Sequence, residues 1–154
     1  MSRIQKILLA ILVVFVAIQF IQPSKNISSE ILPTDITRVF TVPQKVQDLL
    51  KTSCYDCHSN NTRYPWYSFI QPGAWWMDHH IKEGKQNLNF SEFGSYSNRK
   101  QQNKFRSTAK SILDETMPIK PYLIIHADSK FTEDQKIFVL DWINKTKDSM
   151  EARR

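Results

Sequence analysis

The sequence predicts an all-α fold, a small helical domain behind a single N-terminal apolar helix. Three observations carry that reading. The 154 residues include only 3 glycines, while Lys, Gln, Leu and Ile are abundant. Several stretches beyond residue 42 repeat their apolar positions at the three-to-four spacing of a helix. No stretch alternates apolar and polar residues as a half-buried strand does.

The N-terminal helix rests on residues 7–21, "ILLAILVVFVAIQFI", apolar apart from Gln19. Arg3 and Lys6 precede the run, and Gln22, Pro23, Ser24 and Lys25 follow it. A membrane span needs about 20 residues of helix. Counted from Ile4, with Arg3 and Lys6 snorkelling to the surface, the run just reaches that length. A cleaved secretory signal is the alternative, but "IQFIQPSK" puts bulky residues where a small-residue cleavage site belongs. A buried core helix fits poorly with a run that has no polar face. The expectation is an uncleaved signal anchor over 1–22, a single pass through a bacterial inner membrane. The basic start places the N-terminus inside and the following domain in the periplasm.

Residues 23–41 mix Pro, Ser and scattered apolar residues and read as a tether. The domain proper is expected over 42–148. Its first helix runs from Pro43 to Ser53, with Thr41 as cap, Gln44 three residues on, and Val46, Leu49 and Leu50 as its apolar stripe. A second lies between Pro72 and Glu83, with Gly84 as its stop. Trp76 and His80 share one of its faces, and Trp75 and His79 another. A third runs from near Ser97 to about Glu115, with Phe105, Ala109, Ile112 and Leu113 inside and Arg and Lys outside. The fourth opens on a capping box, Thr132 with Gln135, and continues through Ile137, Phe138, Leu140, Trp142 and Ile143. Between the last two, "TMPIKPYLIIHADSKF" reads as a loop stiffened by Pro118 and Pro121.

Charge narrows the range of partners. The formal net charge is +6; removing Arg3 and Lys6 from the 21 lysines and arginines leaves 19 against 15 acids for the rest of the chain. Basic runs interleaved with aromatics are absent. This is a mildly basic surface with no sign of nucleic-acid binding.

Both cysteines fall in "KTSCYDCHSNNTRYPWYS", with His58 directly after Cys57. A structural zinc site needs four ligands, and no second cysteine pair or spaced histidine pair supplies them. A thioredoxin-like dithiol needs C-x-x-C at a helix N-terminus in a βαβ setting, whereas here a helix precedes the motif. A plain disulfide remains possible outside the cytoplasm. The remaining reading is C-x-x-C-H, the attachment signal for c-type haem. Two cysteines three apart on a tight turn reach the two vinyl edges of one porphyrin, and the next residue lies beneath the ring as proximal iron ligand. Cys54, Cys57 and His58 are therefore the expected anchors of one covalently attached haem c.

The sixth ligand has several candidates: Met77, Met117, Met150, His79, His80 and His126. Met117 leads because it precedes Pro118 in a loop between a long helix and a capped closing helix. His80, on a helix face with Trp76, is its rival, and an open position is the third case. Tyr64, Trp66, Tyr67, Trp75 and Trp76 offer a flat apolar wall for a porphyrin, or simply fill a small core.

The motif order of helix, C-x-x-C-H, variable middle, Met-Pro loop and closing helix resembles that of small class I cytochromes c. The resemblance implies a cytochrome c-like helical haem domain. The chain also resembles the bacterial haem-binding domain family, small membrane-anchored proteins with C-x-x-C-H near the domain start. That likeness runs from about Val42 to Ile143, through "CYDCHSNNTRYPWYS", "HIKEGKQNLNFSEF", "MPIKPYLIIHADSKFT" and Trp142. It implies covalent haem binding through Cys54, Cys57 and His58, and little beyond that.

Together these readings give a membrane-anchored monohaem cytochrome, an electron carrier rather than an enzyme, working with redox partner proteins. A haem sensor or a small peroxidase-like enzyme with an open or labile sixth position is the alternative, with His80 as acid/base. A protein whose haem only stabilises the fold and a C-x-x-C dithiol redox protein are the remaining classes.

Overall fold

Caps and apolar stripes divide the described residues into eight α-helices, as a computed structural model of the protein shows. It describes residues 1–28 and 30–152, and no strand occurs among them. The helices are α1 (Arg3–Ile18), α2 (Ile36–Val39), α3 (Gln44–Ser53), α4 (Tyr55–His58), α5 (Gly73–Asn87), α6 (Asn98–Leu113), α7 (Lys120–Ile125) and α8 (Glu133–Glu151). Short 3-10 turns at Trp66–Phe69, Phe90–Ser95 and Ala127–Ser129 link them. The all-α expectation holds.

The membrane anchor does not. Ser2 and Gln5 form a capping box that starts α1, and the helix ends at Ile18 after 16 residues. At 1.5 Å per residue it is about 24 Å long, short of a hydrocarbon core of about 30 Å. Among the described residues no helix is long and apolar enough to cross a membrane. The expected single-pass inner-membrane anchor, and the periplasmic placement that followed from it, are corrected accordingly. The physical reason lies in residues 19–22, which the domain recruits. The Gln71 amide donates to Gln19 Oε1 (2.9 Å), and Gln22 Nε2 donates to the Phe69 carbonyl (3.0 Å). Gln71 Nε2 and Trp75 Nε1 both donate to the Ile21 carbonyl, at 2.8 and 3.0 Å. The last turn that a span would need is spent on these contacts. The apolar side chains of α1 are exposed on every face.

The stretch read as a tether is likewise packed on the domain, apart from Ser29, which lies outside the described residues. Asn26 Nδ2 donates to the Ser59 carbonyl and Thr62 Oγ1, and Lys85 Nζ donates to Asn26 Oδ1 at 2.6 Å. Asp35 caps α2 through the Thr37 amide, and Ile36 is wholly buried.

The core is aromatic at its centre. Phe93 meets Phe105 at 4.8 Å, and Phe105 meets Trp142 edge-on at 5.6 Å. Val46 and Leu50 of α3, Phe105 and Ile112 of α6, and Val139 and Ile143 of α8 close around them. Trp142 Nε1 donates to the Thr41 carbonyl (3.1 Å), so its one polar atom is satisfied. Thr41 does not cap α3; Pro43 stands at that position, and Gln44 reaches Asp48 instead.

The α8 capping box forms as expected. Ile137 and Phe138 lie outside, however, because the buried face is set by Val139, Trp142, Ile143, Thr146 and Met150. Leu113 is also exposed, since the α6 face turned inward follows Gln101, Phe105 and Ile112. The stretch read as a loop contains α7, whose Pro121 sits in its first turn, where a missing N–H costs nothing.

Candidate functional site

Cys54 ends α3 and opens the next turn. Its amide donates to the Leu50 carbonyl (2.9 Å), and its carbonyl accepts from the Cys57 and His58 amides at 3.2 and 2.9 Å. Residues 54–58 therefore form one turn that carries both sulfurs and the imidazole. The thiols are not joined in a disulfide. Burial pushes the Cys54 thiol up to about 12, helped by the Cys57 sulfur, and pushes Cys57 up to about 11, helped by Asp56. Both stay protonated at neutral pH.

The C-terminal part of α5 fixes the orientation of His58. Its Nδ1 lies 2.9 Å from the Gly84 carbonyl and 3.0 Å from the Leu88 carbonyl. Carbonyls only accept, so Nδ1 carries the proton. Burial holds the imidazole below its ordinary pKa, against the raising effect of those two carbonyls. The ring is thus neutral at pH 7, with the lone pair on Nε2 left for a metal. A second carbonyl or carboxylate holding the far nitrogen is the usual outer support of a ligating histidine.

Gly84 makes this approach possible. A Cβ there would lie 2.5 Å from the Cys57 carbonyl oxygen and 3.1 Å from Cys57 Cβ. The sequence read Gly84 as a helix stop, yet α5 runs on to Asn87, so the glycine serves close packing and not termination. Gly84→Ala is expected to force α4 off α5, destabilising the fold by about 1–3 kcal/mol as an overpacked contact does. Thermal unfolding measures the loss; an unchanged melting temperature would mean the two helices part freely.

Asp56, inside the motif, ties the turn to α7. It is buried, and its carboxylate accepts from the Tyr122 hydroxyl (2.7 Å) and from the Arg63 backbone amide, Nε and Nη2. The carboxylate beside Arg63 holds the guanidinium well above its usual range. Burial, and then the bond to Asp56, push the Tyr122 phenol upward. Charge-assisted bonds of this kind are stronger than neutral ones. They fix the segment after Met117 against the cysteine turn.

The walls so assembled enclose a cavity of about 540 Å³. Cys54, Cys57 and His58 form one side of it, with His80 and Gly84 from α5 beside them. Lys104, Ser107, Thr108 and Ser111 of α6, Met117 to Ile119, Phe90 and Phe131 complete it. Volumes of about 300–1,000 Å³ are typical of cofactor sites. Among the described residues no three His, Cys, Asp or Glu side chains cluster as ligands of a bare ion. His58 with one further donor instead suits a metal that brings its own equatorial ligands.

The sequence profile of the haem-binding domain family matches residues 13–145. The chain belongs to the haem-binding domain family. Comparison with curated proteins and with solved structures gives no match. The match begins well upstream of Val42, in keeping with the docking of Gln19, Gln22 and Asn26 on the haem-binding domain.

The haem-binding domain brings two of the candidate sixth ligands to its cavity, Met117 and His80. Met117 is exposed. His80 has its Nδ1 on the Trp76 carbonyl (2.9 Å), and its ring lies 4.0 Å from that of Trp76. The others stand elsewhere. His79 is exposed, 3.4 Å from Glu83, and Met150 is buried in the core. Met77 and His126 line a smaller hollow of about 140 Å³, which shares Cys57 and His80 with the first. There His126 bonds the Tyr67 hydroxyl and stacks on Tyr122 at 4.3 Å.

The aromatic run lies beside the large cavity, with Tyr67 and Trp76 lining the smaller hollow that shares Cys57 and His80. Tyr64, Trp66, Tyr67, Trp75 and Trp76 do not line the large cavity, whose aromatics are Phe90, Tyr122 and Phe131. Tyr64 and Trp75 are engaged with residues 21–26, and Trp66 is exposed. Sequence reasoning missed Asp56 with Tyr122, for which no local signal exists. It also missed the polar α6 stripe, which its spacing does display.

Proposed function

We propose that this haem-binding domain is a monohaem c-type cytochrome that passes electrons between partner proteins. The observation that carries the reading is one turn bearing Cys54, Cys57 and a His58 whose Nδ1 is tied back, facing a cavity that Met117 also lines. In this reading Cys54 and Cys57 hold the porphyrin by thioether bonds, and His58 binds iron through Nε2. Met117 is the sixth ligand, with His80 its rival. The haem supplies a reversible one-electron couple. The chain holds the ring between fixed ligands and screens it from water with Phe90, Ile112 and Phe131.

Two features support this over dithiol exchange. Cys54 leads a helix of only four residues, and both thiols are pushed above the ordinary range, whereas exchange needs an accessible thiolate. The mildly basic surface favours an acidic partner, mainly through encounter rate.

The test is the absorption spectrum of the reduced protein with and without carbon monoxide. A six-coordinate carrier leaves the spectrum unchanged. Immediate carbon monoxide binding by the wild type favours a sensor or peroxidase-like enzyme with an open sixth position.

A further inference from the structure

One wall of the large cavity is polar. Lys104, Ser107, Thr108 and Ser111 lie at the i, i+3, i+4 and i+7 positions of α6 and all four line the cavity. Residues so spaced share one helix face. Lys104 is the one lysine or arginine lining the cavity among the described residues. It is half-buried and forms no ion pair with an acid among the described residues, although Lys110 on the same helix pairs with Asp114 at 2.6 Å. A half-buried lysine beside three hydroxyls on one helix face is a donor set suited to an anion.

We propose that this face of α6 is the carboxylate subsite of the haem pocket, with Lys104 pairing a propionate and Ser107, Thr108 and Ser111 donating to the propionate oxygens. The inference rests on the haem reading above. Vinyl and propionate groups occupy opposite edges of a porphyrin, so a ring held at Cys54 and Cys57 carries its carboxylates away from α4. Of the remaining walls, Phe90, Phe131, Pro118 and Ile119 offer nothing to an anion and Glu83 would repel one, while Asn87 Nδ2 already donates to the Glu83 carbonyl, the Tyr122 hydroxyl to Asp56 and His80 Nδ1 to the Trp76 carbonyl. The α6 stripe offers a cation and hydroxyl donors. Lys104 also partly offsets the propionate charge, which by itself stabilises oxidised iron. The lysine therefore raises the reduction potential.

The test compares Lys104→Met, Lys104→Arg and, as a control for charge and helix stability, Lys110→Met, all in the full haem-loaded chain. The expected result is a lower midpoint potential and a shifted propionate bending band in the resonance Raman spectrum for Lys104→Met alone. Lys104→Arg should restore both. If Lys104→Met and Lys110→Met leave the propionate band equally unmoved, the subsite is refuted while the haem reading stands. If Lys104→Met instead changes the axial-ligand bands, Lys104 acts at the iron and the subsite is also refuted. A wild-type chain that holds no haem overturns both readings together.

Discussion

Replacing Cys54 and Cys57 together with alanine abolishes haem that survives denaturation. Produced alongside a maturation system for covalent haem, the wild-type chain keeps a peroxidase stain through denaturing electrophoresis, and the double variant shows none. The expected change is complete, because a thioether is the only bond in this reading that unfolding does not break. The variant also unfolds at a lower temperature, since without the thioethers haem stays only as far as its free concentration allows, and the cavity of about 540 Å³ is less fully filled than when the group is tethered. His58→Ala separates the two functions of the motif. It keeps the stain, because the sulfurs are intact, but loses the spectrum of histidine-ligated iron. A stain that persists in the double variant would place the attachment elsewhere.

The second large effect belongs to Met117. Met117→Ala opens the reduced iron to carbon monoxide, lowers the potential, and removes the weak thioether charge-transfer band at the red end of the spectrum. His80→Ala changes none of these and costs roughly 1 kcal/mol of packing, because its ring rests on Trp76 and its Nδ1 on the Trp76 carbonyl. The opposite pattern, with His80→Ala opening the iron and Met117→Ala silent, assigns a bis-histidine site. Tyr122 bears on the same question. Its hydroxyl, 2.7 Å from Asp56, ties the segment following Met117 to the cysteine turn. Tyr122→Phe therefore loosens the Met117 side without touching the sulfurs or His58.

Local signals in the sequence were legible wherever one element decided the outcome. Thr132 and Gln135 announce α8, Ser97 announces α6, and the stripe of Val46 and Leu50 announces α3. The candidate donors Cys54, Cys57, His58, Met117 and His80 are each legible from residue type and spacing, and all five line one cavity. What escaped depends on contacts between distant segments. Gly84 reads as a stop until α4 is seen lying on it, with a carbonyl where a Cβ would stand. Gln19 reads as the one polar residue inside a membrane span, and Gln22 as the first beyond it, until Gln71 and Phe69 are found holding them. Composition cannot separate those cases, because a glutamine that ends a span and one that docks on a neighbouring backbone are the same residue. The aromatic run is divided for a related reason, with only Tyr67 and Trp76 left beside Cys57. Trp75 is flat and apolar enough for a porphyrin wall, but its Nε1 found the Ile21 carbonyl and was drawn to the N-terminal segment instead. Lys104 and its hydroxyl neighbours did carry a periodic signal, hidden because a polar stripe on a helix ordinarily faces water.

Covalent attachment is the claim on which the rest depends, and the intact mass of the denatured wild-type chain tests it most directly. The account predicts a single species at the mass of the polypeptide plus one haem, unchanged by acid or organic solvent that strips non-covalent haem. A spectrum at the bare polypeptide mass, from protein that was coloured before denaturation, would contradict it. Cys54 and Cys57 would then line a haem pocket without bonding to its ligand.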